Sequence, residues 1–251
     1  MAWILDLDGV VWLSETVIPG GPEAVARLRE AGETVLFLTN NSSRRVDDLA
    51  EKLAGMGIAV EPDEIVTSAQ AAASMLEPGS TALVCAGEGV REALAARGVT
   101  AVDEGPADAV VVGFHKEFDY DRLNAAYQAI RDGARLIGTN DDVTYPTPDG
   151  PIPGGGALLA AVAAAAGVEP DVAGKPYQPM ADTVRARIGA AADDGILVGD
   201  RPDTDGLMAK RLGFRFALVF TGVTTREDLP VDPEPDLVAD DLAAVVDQES
   251  A

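Results

Sequence analysis

The stretch Trp3-Ile4-Leu5-Asp6-Leu7-Asp8-Gly9-Val10 places two acidic residues at the end of a short apolar run. Such a run is typical of a strand buried on both faces, as in parallel sheets covered by helices. An apolar run followed by polar residues occurs again at Thr34–Leu38, which precedes Thr39-Asn40-Asn41. It recurs again at Ile196–Val198, which precedes Gly199-Asp200. Because helical patterns separate these runs, the sequence predicts an α/β fold with a doubly wound parallel sheet.

The middle of the chain repeats the strand–helix alternation separately. Glu77-Pro78-Gly79-Ser80 is rich in turn-forming residues and indicates a linker. We therefore expect residues 77–172 to form a second α/β domain, inserted into a core built from residues 1–76 and 173–251. Within the insertion, Tyr145–Gly156 is dense in proline and glycine, which predicts a loop.

Charge restricts the class of ligand. The 251 residues include 19 Lys and Arg against 42 Asp and Glu, a formal net charge of −23. Because a polyanion would be repelled, nucleic-acid binding is not expected as the main function. An acidic, lysine-poor composition is typical of a protein from a salt-rich cytoplasm, where screening reduces self-repulsion. An ordinary acidic enzyme and an enzyme with a basic partner remain alternatives.

The cysteine content and the first residues of the sequence indicate the cellular compartment that we expect for the protein. The lone cysteine, Cys85, permits no intramolecular disulfide and no cysteine-rich zinc site. The sequence begins with an apolar strand and not with a basic leader. The longest alanine-rich run, Ala157–Ala166, is shorter than the roughly 20 apolar residues needed to span a bilayer. We expect a cytoplasmic protein that does not bind membranes.

Polar residues follow several predicted strands, and this pattern predicts the chemistry. In a parallel sheet the carboxyl ends of the strands share one edge, where ligands bind. Clustered carboxylates without His or Cys favour Mg²⁺, which in turn attracts phosphate oxygens. Thr39 and the following amides can bind an anion, and Lys175 in Gly174-Lys175-Pro176 adds a positive charge. The set predicts a phosphoryl site in which Asp6 or Asp8 attacks phosphorus and the other serves as acid/base.

Each motif also has a purely structural explanation. Asp200 and Asp205 can cap a helix, and so can the segment Thr39-Asn40-Asn41. Lys175 can simply precede a helix. The occurrence of all four motifs in one chain favours the phosphoryl site.

The motifs resemble the haloacid dehalogenase superfamily of phosphatases, in the branch of NagD-type, p-nitrophenyl and phosphoglycolate phosphatases. The resemblance covers almost the whole chain and implies a Rossmann-like core with a cap domain inserted between Thr39 and Lys175. The motifs that carry it are Asp6-Leu7-Asp8-Gly9-Val10, Leu38-Thr39-Asn40-Asn41-Ser42, Gly174-Lys175-Pro176, Val198-Gly199-Asp200-Arg201-Pro202-Asp203-Thr204-Asp205 and, in the middle segment, Gly138-Thr139-Asn140-Asp141-Asp142.

The resemblance also implies roles for the acidic residues. Asp6 is the nucleophile and forms an aspartyl-phosphate. Asp8 protonates the leaving oxygen and then deprotonates the hydrolytic water. The Asp6 carboxylate, the Asp8 backbone carbonyl and Asp200 bind Mg²⁺, while Asp205 supports the metal's waters or Lys175.

Further implied roles concern phosphate and substrate. Thr39 and Asn40 bind the transferred phosphoryl group, Asn41 lies near the substrate entrance, and Lys175 bridges phosphate and Asp6. In the cap, Thr139, Asn140 and Asp142 are candidate substrate contacts, with a polar turn as the structural alternative. His115 stands where the family usually has an acidic residue, which puts in doubt any contact inferred from relatives there.

The expected function is Mg²⁺-dependent hydrolysis of a small phosphate ester such as a sugar phosphate, a nucleoside monophosphate or phosphoglycolate. A phosphotransferase or phosphomutase on the same scaffold is one alternative, and a non-catalytic phosphometabolite-binding protein is another. Cap helices often mediate dimerisation in this branch, so the resemblance is compatible with a homodimer.

Overall fold

A computed structural model describes residues 1–145, 150–189 and 193–250. Contacts divide the chain into two compact units. The first, which we call the core unit, comprises Met1–Thr39, Asp47–Val66 and Ala181–Ala251. The second, the inserted unit, comprises Asn40–Val46 and Thr67–Met180. The domain boundaries expected from sequence, before residue 77 and after residue 172, remain predictions.

Helices and short strands alternate along the described residues. The first part of the chain contains β1 (Ala2–Asp6), β2 (Trp12–Leu13), β3 (Thr16–Val17), α1 (Gly21–Glu30), β4 (Thr34–Thr39), α2 (Val46–Gly55), β5 (Ile65–Thr67) and α3 (Ser68–Ser74). The middle contains β6 (Thr81–Cys85), α4 (Glu88–Arg97), β7 (Thr100–Val102), β8 (Ala109–Val112), α5 (Tyr120–Arg131), β9 (Arg135–Gly138), β10 (Thr144–Tyr145), β11 (Ile152–Pro153), α6 (Gly155–Ala166) and β12 (Asp171–Val172). The last part contains α7 (Gln178–Ile188), β13 (Gly195–Gly199), α8 (Leu207–Leu212), β14 (Arg215–Val219), β15 (Leu237–Ala239) and α9 (Leu242–Glu249).

Within the described residues, the core unit is built on a six-stranded sheet of order β15-β14-β13-β1-β4-β5. β1 pairs in parallel with both β4 and β13, and β14 and β15 continue the parallel pairing beyond β13. All five residues of β1 are buried, which explains the unbroken apolar run. The chain extends the sheet first on the β4 side and later on the β13 side, so the strand order reverses at β1. Such a switch point opens a crevice beyond the carboxyl ends of the strands.

The inserted unit has its own five-stranded parallel sheet among the described residues, of order β12-β9-β8-β6-β7. Helices α5 and α6 contact this sheet, and their apolar residues join its buried core. The alanine-rich run is part of α6, where Leu159 and Val162 are buried. The two parallel sheets confirm the predicted α/β class and the presence of a second α/β unit.

The proline-rich stretch Tyr145–Gly156 is only partly a loop. Thr144–Tyr145 pairs antiparallel with Ile152–Pro153, and α6 already begins at Gly155. Prolines are tolerated in such a two-residue pairing because the pair has free edges. The remainder of the predicted loop at residues 146–149 lies outside the described residues. In the part of the chain that the structure describes, no helix is both long and apolar enough to cross a bilayer.

The core of the inserted unit can be tested through its cysteine. Cys85 is 1% exposed, and burial raises the pKa of its thiol to about 11. The thiol is therefore protonated and shielded at mildly alkaline pH, where a free cysteine is partly ionised. We expect a thiol-specific disulfide reagent to modify the native protein at least about a hundredfold more slowly than the denatured protein. The reaction is measured by the absorbance of the thiolate that the reagent releases. Equal modification rates for native and denatured protein would contradict the burial of Cys85.

Candidate active site

Three buried carboxylates meet at the edge of the core sheet where β1 and β13 end. Asp6 is the last residue of β1, Asp200 directly follows β13, and Asp205 lies in the π-helical turn Pro202–Gly206. Their side chains are 7%, 2% and 0% exposed, respectively. Each offers an oxygen, and these oxygens all lie within 4.8 Å of one another. The parallel pairing of β1 with β13 therefore brings together residues almost 200 positions apart in the sequence.

Each of these carboxylates accepts a hydrogen bond from a backbone N–H. Asp6 Oδ1 accepts from Leu7 at 2.8 Å, Asp200 Oδ2 from Val223 at 2.6 Å, and Asp205 Oδ2 from Arg201 at 3.1 Å. These bonds orient the three carboxylates. They do not remove the mutual repulsion of three like charges in a buried place.

The donor set fits a hard divalent cation. All three side chains offer oxygen, and Mg²⁺ is bound in proteins through carboxylates, carbonyls and retained waters. The structure thus brings the predicted ligands Asp6 and Asp200 together and places Asp205 in the same cluster. The predicted division into ligands and a supporting residue, and the predicted use of the Asp8 carbonyl, remain predictions.

Two glycines allow the backbone to approach Asp200. A Cβ at Gly9 would lie 2.6 Å from Asp200 Oδ2, and one at Gly222 would lie 1.9 Å from the same atom. Gly9 also has a φ of +87°, a conformation that side-chain-bearing residues rarely adopt. The segment that follows β14 thus packs directly on the carboxylate cluster.

Asp8 and Thr39 are the other predicted site residues of the core unit. Asp8 is half-buried, and its Oδ1 accepts a hydrogen bond from the indole Nε1 of Trp12 at 3.0 Å. Thr39 is the last residue of β4 and is 2% exposed. Since β4 pairs in parallel with β1, with Asp6 opposite Leu38, Thr39 lies one residue beyond Asp6 at the same sheet edge.

In the inserted unit, the Asn40 side chain clamps the backbone of Lys175. Asn40 Oδ1 accepts from the Lys175 N–H at 2.7 Å, and Asn40 Nδ2 donates to the Lys175 carbonyl at 3.1 Å. The amide thus satisfies both backbone groups of one residue, as a paired strand would. Nδ2 also donates to Asp142 Oδ2 at 2.9 Å. Lys175 itself is 3% exposed.

Buried polar side chains extend this clamp. Asn140 Nδ2 donates to Asp142 Oδ2 at 2.7 Å, and Thr139 Oγ1 donates to Asn140 Oδ1 at 3.1 Å. Ser42 Oγ lies 2.9 Å from Thr139 Oγ1. Thr139, Asn140 and Asp142, predicted as substrate contacts, therefore form part of the network that fixes the Asn40 and Lys175 segments. Their contact with substrate remains a prediction.

Two further predicted residues have contacts of their own. Asn41 Oδ1 accepts from both the N–H and the hydroxyl of Ser43, at 3.0 and 2.7 Å, which closes a local turn ahead of α2. His115 Nδ1 accepts from the Glu117 N–H at 3.1 Å, and partial burial lowers the pKa of this imidazole. The role of Asn41 near the substrate remains a prediction.

The motifs did not predict Trp12, Gly222 or Val223. The signal for the last two was available, because Thr221-Gly222-Val223 closely follows β14, and the ends of the parallel strands carry the site. The contact of Trp12 with Asp8 has no comparable sequence signal, because its side-chain direction depends on the β2–β3 turn.

Two family models match the chain. A haloacid dehalogenase-like hydrolase model matches residues 3–100, and a second HAD-hydrolase-like model matches residues 172–245. An acid sugar phosphatase of Staphylococcus saprophyticus is 35% identical over 231 residues, 91% of this chain and 89% of that protein.

Solved structures of phosphatases are also similar to this chain. The p-nitrophenyl phosphatase from Archaeoglobus fulgidus superposes with a TM-score of 0.92 at 36% identity, covering 98% of both chains. A glycerol phosphate phosphatase from Mycobacterium tuberculosis, crystallised in complex with magnesium, gives a TM-score of 0.90 at 34% identity over 97% of this chain and 75% of that one.

The fold, the carboxylate cluster and these matches define the class: the chain belongs to the haloacid dehalogenase-like hydrolases. Within the family it falls in the NagD and p-nitrophenyl phosphatase branch, and it is a phosphatase that hydrolyses phosphoric monoesters.

The close approach at Gly222 predicts a selective loss of activity. In Gly222→Ala the new methyl group displaces the Asp200 carboxylate, and a displacement near 1 Å can cost about a hundredfold in rate. Gly55→Ala is the matched control, because nothing lies within 4 Å of its Cβ position at the end of α2. We expect about a hundredfold lower kcat for Gly222→Ala and an unchanged kcat for Gly55→Ala. Equal kcat values for the two variants would show that this contact does not hold the cluster.

The Asn40 clamp predicts that Asp142 matters as a hydrogen-bond acceptor and not as a charge. Asp142→Asn retains an oxygen that can accept from both amides, whereas Asp142→Leu has the same size and no acceptor. We expect Asp142→Leu to lower kcat about tenfold and Asp142→Asn to stay within about twofold of the wild type. Thermal unfolding of each variant checks the fold. A large loss in Asp142→Asn would assign the effect to the charge instead.

Proposed function

We propose that this phosphatase acts through a covalent aspartyl-phosphate on Asp6, with Mg²⁺ as cofactor. The observation that carries the proposal is the cluster of Asp6, Asp200 and Asp205, whose oxygens lie within 4.8 Å of one another in a buried place. Three carboxylates this close together in a buried place repel one another, and a bound cation relieves that repulsion. The motifs of the family and the magnesium complex of a glycerol phosphate phosphatase support Mg²⁺ as that cation.

Asp6 and Asp200, with the backbone carbonyl of Asp8, are the proposed ligands. Asp205 supports the arrangement from the adjacent turn, where its Oδ2 accepts the Arg201 N–H. When bound, the ion neutralises negative charge on the phosphoryl oxygens and on the carboxylates around them.

The proposed reaction has two displacements at phosphorus. A carboxylate oxygen of Asp6 attacks, an O–P bond forms, and the bond from phosphorus to the ester oxygen breaks. The neutral carboxyl group of Asp8 gives its proton to that leaving oxygen, so that an alcohol departs. The Asp8 carboxylate then takes a proton from water, whose oxygen attacks the phosphorus. The bond between phosphorus and the Asp6 oxygen breaks, which releases inorganic phosphate, frees the Asp6 carboxylate and leaves Asp8 protonated again.

The remaining predicted residues hold the phosphoryl group. Thr39, buried at the end of β4, offers its hydroxyl. Both ends of the Asn40 side-chain amide are engaged with Lys175 and Asp142, so we assign phosphoryl binding to the Asn40 backbone N–H. The Lys175 ammonium neutralises phosphoryl oxygens, and the Asn40 clamp fixes the backbone from which it extends.

We propose that the substrate is a small phosphorylated metabolite. The relatives act on sugar phosphate, glycerol phosphate and p-nitrophenyl phosphate, according to their names. Sugar phosphates, glycerol phosphate and p-nitrophenyl phosphate therefore form the first panel of candidates, and nucleoside monophosphates and phosphoglycolate are added from the resemblance of the motifs.

The nucleophile assignment predicts loss of turnover in Asp6→Asn. The amide has the size of the carboxylate but lacks its charge and nucleophilicity, so we expect kcat to fall by at least about a thousandfold. Asp121→Asn, an exposed position in the first turn of α5, is the control and should retain full activity. EDTA should abolish wild-type activity, and added Mg²⁺ should restore it. Normal turnover in Asp6→Asn would reject Asp6 as the nucleophile.

The same assay distinguishes hydrolysis from phosphoryl transfer. Without any acceptor alcohol, a hydrolase releases phosphate and alcohol in equal amounts. A phosphotransferase or phosphomutase would release little phosphate until an acceptor is added.

A further inference from the structure

The indole of Trp12 is hydrogen-bonded to Asp8, the proposed acid/base residue. Trp12 Nε1 donates to Asp8 Oδ1 at 3.0 Å, and the Trp12 side chain is buried, with an exposed fraction of 2%. An indole N–H can only donate, so the Asp8 oxygen that it contacts must be an acceptor. The bond therefore fixes the direction of Oδ1 and, with it, the direction of the other carboxyl oxygen, Oδ2.

The backbone holds Trp12 firmly relative to Asp8. The Trp12 N–H donates to the Leu7 carbonyl at 3.1 Å, and the Trp12 carbonyl accepts from Gly9 at 2.7 Å. Trp12 also pairs with Val17 in the short antiparallel ribbon of β2 and β3. The residues on both sides of Asp8 are thus tied to the residue whose side chain contacts it.

A lysine on α2 lies over the face of the indole ring. Lys52 Nζ lies 4.2 Å from the centroid of the Trp12 ring and donates to the Ser14 carbonyl at 2.6 Å. It also lies 3.5 Å from Glu15 Oε1, and its side chain is 12% exposed. A cation over the face of an indole is attracted to the ring, and it polarises the N–H into a stronger donor.

We propose that Trp12 is a positioning residue for Asp8: by holding Oδ1, it directs the other carboxyl oxygen, Oδ2, to the leaving-group oxygen. The proposal rests on the acid/base role of Asp8 given above. Lys52 supports it by holding the indole plane. Trp12 touches no reacting atom and acts only through the orientation of Asp8.

This role has a signature that a general loss of packing does not share. An alkoxide is a poor leaving group and needs the Asp8 proton as the ester bond breaks. A p-nitrophenolate is a stable anion and leaves with little help. Poor orientation of Asp8 should therefore slow the hydrolysis of alkyl phosphates and leave aryl phosphates almost unaffected.

The experiment compares Trp12→Phe with Trp3→Phe. Trp3 is also 2% exposed, and its buried Nε1 has no hydrogen-bond partner within the described residues, so the control removes an indole without removing such a bond. The readout is kcat/KM for glycerol phosphate and for p-nitrophenyl phosphate, because this ratio covers the steps up to departure of the leaving group. We expect Trp12→Phe to lower the value about tenfold for glycerol phosphate and at most about twofold for p-nitrophenyl phosphate. Trp3→Phe should change both values by the same factor.

Equal losses on both substrates in Trp12→Phe would overturn the proposal, since they would show a structural role only. If Trp12→Phe does not fold, Lys52→Met provides the test. It keeps the indole and should lower the glycerol phosphate value about threefold relative to the p-nitrophenyl phosphate value. If Lys52→Met leaves the ratio of the glycerol phosphate value to the p-nitrophenyl phosphate value unchanged, the proposal is overturned. Absence of wild-type turnover on these two esters and on every other ester of the candidate panel would instead refute the proposed function.

Discussion

Three buried carboxylates that repel one another set the main electrostatic constraint on the site at the edge of the core sheet. Asp6, Asp200 and Asp205 have oxygens within 4.8 Å of one another and are almost fully shielded from water. Backbone N–H groups orient these carboxylates but leave their charge in place. A bound cation would relieve this repulsion, so the same cluster that costs stability is suited to phosphoryl chemistry.

Sheet topology creates this cluster. The strand order reverses at β1, so the ends of β1 and β13 become neighbours although distant segments of the chain supply them. The parallel register then sets Thr39 one position beyond Asp6. Glycines at 9 and 222 let the flanking segments close on Asp200. Each of these features positions a side chain at the same sheet edge.

The strands of the core sheet and the acidic residues at their ends could be predicted from sequence, because short local patterns identify them. An apolar run that ends in Asp6 identifies both the strand and its functional end, and the rule that parallel strands share an edge relates Asp6 to Asp200. Side-chain direction and long-range hydrogen bonds have no local signal. Asn40 meets Lys175 across 135 residues and Asp142 across 102, and the indole of Trp12 is directed by the β2–β3 turn. The salt-rich cytoplasm and the homodimer remain predictions from composition and from resemblance.

If Asp6 is the nucleophile, one of its carboxylate oxygens becomes covalently bound to phosphorus during turnover. Borohydride reduces an aspartyl-phosphate to homoserine but leaves a free carboxylate unchanged. Quenching the enzyme with borohydride during turnover, followed by peptide mass spectrometry, therefore locates the acyl phosphate. We expect homoserine at position 6 in a substrate-dependent amount. Homoserine at another aspartate, or at none while phosphate is released, would contradict it.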